Sequence, residues 1–207
     1  CVPLVVLFFF AVAFYLHCLW FHHFVHAVHQ SVTPLIDPAR THSLAFVAGF
    51  GSPIANVCLA VVIMLILCLG RQRLAALWLG GAFLTGDAVA LALKLIIARP
   101  RPRWQLLPDS GYSFPSGHVL STTLLLLLLW TVLLPWLQDS EVQLVVVLVS
   151  LVWIGVISFS RIYLGAHYPS DVVASWLLAV GWWRISLWVQ QRWLTHLPML
   201  AQKRGDA

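Results

Sequence analysis

Apolar residues gather in six long runs, 2–20, 45–69, 74–97, 119–137, 142–159 and 172–190. Each is close to the roughly 20 residues a helix needs to cross a bilayer. Leucine-rich stretches such as 124–129 have no polar stripe at helical spacing. That evenness predicts helices that face lipid. The pattern therefore predicts an all-α fold: a six-transmembrane-helix bundle forming one membrane-embedded domain over 1–207.

The connections differ in character. Residues 70–73 make a short basic turn and 138–141 a short acidic one. Residues 99–114 form a longer, proline-rich, cationic loop, and the His-rich segment 22–44 is expected to lie along the interface. The first residue is Cys1, so a trimmed N-terminus is expected. Run 2–20 is longer than a usual signal core and no clear small-residue cleavage site follows, so it reads as a span. Six spans put both termini on one side. Arg71, Arg73 and the basic tail with Arg192, Lys203 and Arg204 make that side cytoplasmic by the positive-inside rule. The 99–114 loop then falls on the opposite face. Trp182, Trp183, Trp188 and Trp193 suit an aromatic belt near the cytoplasmic end of the last helix.

Composition narrows the class. Of 207 residues, 61% are hydrophobic and 9% charged, against about half and about a quarter for soluble domains. The net charge of +5 does not point to nucleic acid, because the cations sit in small groups at the ends of apolar runs. Cys1, Cys18, Cys58 and Cys68 form no C-x-x-C pair, which argues against a disulfide framework or zinc site.

Against this background SRIYLGAHYPSD, residues 160–171, stands out with an Arg, a His and an Asp. With the expected topology it shares a face with KLIIARPRP at 94–102 and PSGH at 115–118. Together they hold Lys94, Arg99, Arg101, His118, Arg161, His167 and Asp171. Ionisable groups at membrane depth are costly and usually functional. Many cations with few carboxylates call for an anion, and phosphate matches the arginine fork. Ser116 suits an N-cap, and Gly117 and His118 then open a helix whose N-terminus attracts anions. Pro169 suits the first position of the next helix, with His167 before it and Asp171 in its first turn. Asp171 there can accept one imidazole proton and leave the other nitrogen free, or the pair can serve only as a helix cap.

The spacing Lys94-x6-Arg101-Pro102, Pro115-Ser116-Gly117-His118 and Ser160-Arg161-x5-His167-x3-Asp171 resembles the three-part signature of the type 2 phosphatidic acid phosphatase family. The resemblance covers 74–190. It implies a metal-independent lipid phosphate phosphatase with no cofactor. His167 would be the nucleophile forming a phosphohistidine, Asp171 its orienter and His118 the general acid. Lys94, Arg101 and Arg161 would hold the phosphoryl oxygens, helped by Ser116 and the Gly117 N–H. The implied substrate is a phosphorylated membrane lipid: undecaprenyl pyrophosphate, phosphatidylglycerol phosphate or phosphatidate. The implied place is a bacterial inner membrane, the site facing the periplasm or exterior, with the bilayer and the lipid as partners and no nucleic acid. A phosphotransferase using the same histidine, or a carrier that binds phospholipid without chemistry, are the competing readings.

Some residues stand apart from the signature. Arg99 and Arg103 are expected to meet a second phosphate or a head group at the site mouth. His22, His23, His26 and His29 could ligate a metal or haem, but no Cys, Asp or Glu completes the set nearby, and an amphipathic interfacial helix is the simpler reading. Asp87, mid-membrane, is expected to join two helices.

Overall fold

The computed structural model describes residues 19–194, and side chains from 23 to 192. Helices α1 (Leu19–Val32), α2 (Pro38–Phe50), α3 (Pro53–Leu69), α4 (Arg73–Ile97), α5 (Gly117–Leu133), α6 (Ser140–Tyr163) and α7 (Pro169–Val189) follow in order. No strand occurs among the described residues. Five segments are long and apolar enough to cross a membrane: Pro38–Leu69, Arg73–Ile97, Gly117–Trp136, Ser140–Tyr163 and Pro169–Arg192. The run at 2–20 lies almost wholly outside the described residues.

The second span begins earlier than its apolar run, at Pro38, and it is broken. Gly51 ends α2, and Ser52 caps α3 by accepting from the N–H of Ala55 at 3.2 Å, with Pro53 at its first position. The break leaves the Gly51 carbonyl without a helical partner. The Asn56 amide donates to it at 3.1 Å and also to Thr122 Oγ1 at 2.9 Å. A Cβ at Gly51 would lie 2.5 Å from Ile157 Cδ1, so only glycine lets α6 pass this close.

The leucine run is placed differently from expectation. Helix α5 packs against α3, α4, α6 and α7, and Leu124, Leu125, Leu127 and Leu128 are buried. Lipid and protein interior are both apolar, so evenness along a membrane helix does not separate outward from inward positions. Leu79 and Phe83 of α4 and Leu178 of α7 complete this core. Trp182 and Trp183 are likewise not belt residues. Their indole N–H groups donate inward, to Ala82 O at 2.9 Å and Thr131 Oγ1 at 2.9 Å, whereas Trp188 is exposed. Asp87 does join two helices: it accepts from Ser121 Oγ of α5 at 3.2 Å.

The loop over 98–116 is fixed to the α6–α7 corner. The N–H of Leu106 donates to Leu164 O at 3.0 Å. Gly165 has φ +66°, and a Cβ there would lie 2.5 Å from Trp104 O, a main-chain atom that cannot turn aside. Gly165→Ala is expected to cost at least about 2 kcal/mol, since the left-handed conformation alone is worth about 1–2 kcal/mol. Thermal unfolding in detergent should fall by roughly 4–8 °C, scaling from about 2–4 °C per kcal/mol. An unchanged midpoint would contradict this account of the corner.

Candidate active site

Four helix ends and one loop converge. Helix α4 delivers Lys94, the loop Arg99, Arg101 and Asp109, the start of α5 His118, the end of α6 Arg161, and the approach to α7 His167 and Asp171. All three sequence segments meet: Arg101 lies 3.4 Å from His167, and Ser175 Oγ of α7 accepts the Ser116 N–H at 2.9 Å while donating to Asp171 O at 2.7 Å.

His167 is 3% exposed. Its Nδ1 lies 2.6 Å from the carbonyl oxygen of Ser113. A carbonyl can only accept, so Nδ1 carries the proton. Nε2 is then the bare nitrogen, with Arg101 Nη1 at 3.4 Å. The expected acceptor, Asp171, stands further off: its Oδ2 is 3.8 Å from Nδ1, beyond hydrogen-bond range. The Asp171 carboxylate is anchored by other donors. Oδ2 accepts the N–H of Tyr168 at 3.0 Å, closing the cap of α7, and Oδ1 accepts Arg99 Nη1 at 2.5 Å. Burial pushes the His167 imidazole below its ordinary value of 6.5, with the Asp171 charge opposing. The fold thus favours the neutral ring.

Arg101 and Arg161 meet on one carboxylate. Asp109 Oδ2 accepts from Arg101 Nη1 at 3.0 Å and from Arg161 Nη2 at 2.5 Å. Burial alone would raise the Asp109 carboxyl, but the two guanidiniums outweigh it and hold the group below its usual range. Arg101 is further held by the carbonyls of Gly111, Ser110 and Ala166. Lys94 Nζ donates to Tyr112 O at 3.1 Å. Beside this cluster is a cavity of about 250 Å³. Asp109, His118 and Arg161 form its polar side, and Ala45, Ala48 and Gly49 an opposing wall of small residues.

Ser116 is the N-cap residue of α5, but its hydroxyl bonds to no first-turn N–H. It is buried and has no hydrogen-bond partner among the described residues. Gly117 follows at the open end of the helix, where a first-turn N–H can meet an anion. Ser175 Oγ accepts from Ser116 N–H and lies 2.7 Å from Asp171 O, its acceptor, so one hydroxyl joins PSGH to α7.

Arg99 and Arg103 part company. Arg103 is exposed, as a mouth residue should be. Arg99 is 5% exposed and sits behind the His167–Asp171 pair, not at the mouth. Asp109, Ser175 and the Ser113 carbonyl escape a motif search. The one signal for Asp109 is its position, a lone acid between two cationic segments. In the histidine cluster, His29 stacks on Trp104 at 4.2 Å. Among the described residues no three His, Cys, Asp or Glu side chains converge as a metal site.

These features define a multi-pass membrane protein in which cationic side chains from several segments gather around a buried histidine. The PAP2 superfamily model matches residues 75–194, more than half the chain, and the chain belongs to that superfamily. It is 32% identical over 138 residues to an undecaprenyl-diphosphatase of Sulfolobus acidocaldarius, covering 62% of this chain and 61% of the relative. It is 30% identical over 173 residues to a lipid A 1-phosphatase of Rhizobium etli, covering 70% and 69%. The chain spans 34% of the length of phosphatidylglycerophosphatase B of Escherichia coli, at 30% identity over 92 residues and 44% of this chain. In fold it is similar to the crystal structure of a transmembrane PAP2-type phosphatidylglycerolphosphate phosphatase from Bacillus subtilis. The TM-score is 0.81 at 22% identity, covering 92% of this chain and 95% of that one.

Proposed function

We propose that the protein is a metal-independent lipid phosphate phosphatase working through a phosphohistidine at His167. The observation that carries this is the arrangement of the two ring nitrogens of His167. Nδ1 gives its proton to Ser113 O, and the bare Nε2 faces Arg101. Nε2 attacks phosphorus, an N–P bond forms, and the bond from phosphorus to the lipid or pyrophosphate oxygen breaks. His118, lining the cavity with Arg161, gives a proton to the leaving oxygen. Water then attacks phosphorus, the N–P bond breaks, His118 takes the water proton, and inorganic phosphate leaves. Phosphoryl transfer mostly needs positioning and charge on the equatorial oxygens. Lys94, Arg101 and Arg161 supply that charge, and the orphan Ser116 hydroxyl and the Gly117 N–H are donors at the same end of α5.

The relatives' names concern an isoprenoid diphosphate, a glycerophospholipid phosphate and a lipid A phosphate, so the class is a phosphate or diphosphate on a membrane-anchored lipid. The small cavity fits the phosphate and its first carbons, while the tail stays in the bilayer. Arg103, exposed in the loop, is the candidate for a second phosphate or a head group. The site faces the periplasm or exterior of a bacterial inner membrane in this reading.

The test is phosphate release from lipid mono- and diphosphates in detergent micelles, with and without EDTA. Turnover of at least one lipid, unaffected by EDTA, is expected. For that lipid, kcat/KM should show no acid limb above pH 6.5, because burial lowers the His167 value and the ring must be protonated before activity falls on the acid side. An acid limb above 6.5, or activity lost in EDTA and restored by a divalent ion, counts against the mechanism.

A further inference from the structure

Arg99 is buried in an apolar chain, yet it does not face the cavity. Its Nη1 donates to Asp171 Oδ1 at 2.5 Å and to Ser170 Oγ at 2.9 Å. Its guanidinium lies 3.9 Å over the Tyr168 ring. Trp104 meets the Tyr168 ring edge-on at 5.8 Å, and His29 stacks on Trp104. This column locks a cation behind the carboxylate that stands behind the nucleophile.

We propose that Arg99 is a positioning residue that holds Asp171 back from His167, so that the imidazole keeps its Nδ1 proton on the Ser113 carbonyl. Two acceptors compete for that proton, Ser113 O at 2.6 Å and Asp171 Oδ2 at 3.8 Å. Asp171 is the farther of the two because the carboxylate is anchored elsewhere, at Oδ1 by Arg99 and at Oδ2 by the Tyr168 N–H. Without Arg99 a fully buried carboxylate would keep only a main-chain partner. Its nearest remaining route to compensation is His167, as imidazolium. An uncompensated buried carboxylate within about 4–6 Å raises a histidine by roughly 1–3 pH units. The ring would then be charged where it has to attack.

Other charged groups also face His167. Arg161 from α6 and Arg101 from the loop oppose protonation, and Asp109 and His118 lie in the same field. None of them touches Asp171 directly in the way Arg99 does. Arg99 therefore acts on the ring through Asp171, whereas Arg101 acts on it across 3.4 Å.

The inference rests on His167 being the reacting group, so its test has a readout apart from turnover. The full chain, labelled with 15N-histidine in detergent micelles, is titrated by NMR, with the His167 signals assigned by their loss in His167→Asn. Wild type should show a neutral Nδ1–H ring. In Arg99→Met the His167 midpoint should rise by about one pH unit or more, and the acid limb of kcat/KM should move up with it. Arg99→Lys keeps the charge but loses the fork and the stack, so a smaller rise is expected. It carries the test alone if the methionine variant does not fold. An unchanged His167 midpoint in whichever variant folds overturns the proposal, as does a loss confined to KM for diphosphate lipids. If no lipid phosphate is turned over but the midpoint still rises, the positioning role stands and the phosphatase reading falls.

Discussion

His167→Asn is expected to abolish phosphate release, by on the order of 10⁴-fold or more in kcat, the scale seen when a nucleophile is removed from a working constellation. Asparagine is chosen for a structural reason. Its side-chain NH₂ can still donate to the Ser113 carbonyl, as Nδ1–H does at 2.6 Å. Alanine would leave that acceptor bare, and a buried unsatisfied group costs about 1–3 kcal/mol on its own. Asparagine deletes only what Nε2 provides. Its thermal midpoint should stay near wild type while turnover disappears. Trapping with a 32P-labelled substrate should label the wild type and not the variant. Residual turnover above about 1%, on a scale where one-hundredfold is about 2.7 kcal/mol, would mean that water attacks the phosphate directly, and the covalent mechanism would be lost.

Arg161→Met should lower kcat/KM by about 10²–10⁴, since truncating one member of a buried hydrogen-bonded charge pair costs roughly 2–5 kcal/mol. The loss has two parts. One is the missing clamp on the phosphoryl oxygens. The other is Asp109, which shares its Oδ2 between Arg161 and Arg101. Without Arg161 that carboxylate is half uncompensated beside an incoming anion. Adding Asp109→Asn to Arg161→Met should therefore raise kcat/KM about tenfold more than Asp109→Asn does in the wild type, a coupling of about 1.4 kcal/mol. The cycle has a definite sign, and purely additive effects would show that Asp109 and Arg161 are not coupled in anion binding. Asp109→Asn alone should lower KM, because a phosphate no longer has to displace a carboxylate from two arginines.

Much of this site was legible beforehand because its parts are side chains at short spacing. PSGH and the Arg161-to-Asp171 segment each bracket a helix end, and membrane topology brings helix ends on one face together. What stayed hidden has physical reasons. Ser113 acts through a main-chain carbonyl, which carries no residue identity. Asp109, in LLPDSGY, has the look of any turn residue until Arg101 and Arg161 are seen to close on it. Arg99, in RPRPRW, reads as part of an extended loop at the site mouth because prolines discourage helix. Instead Ala98 turns the chain with φ +47° at the end of α4, and Arg99 enters the interior. The leucines of α5 and the indoles of α7 were misplaced for another reason, since lipid and protein core exert the same apolar demand.

The Ser113 carbonyl also bears on how this protein could drift. A side-chain orienter can be lost in one base change, but no substitution at position 113 other than a shift in chain path takes its oxygen from Nδ1. The tautomer of the nucleophile is thus sheltered from mutation at the position that sets it. Its vulnerability is displaced to residues that fix the course of the loop, such as Gly165 beneath Trp104. Inactivating substitutions should therefore gather along that corner as well as among the charged groups.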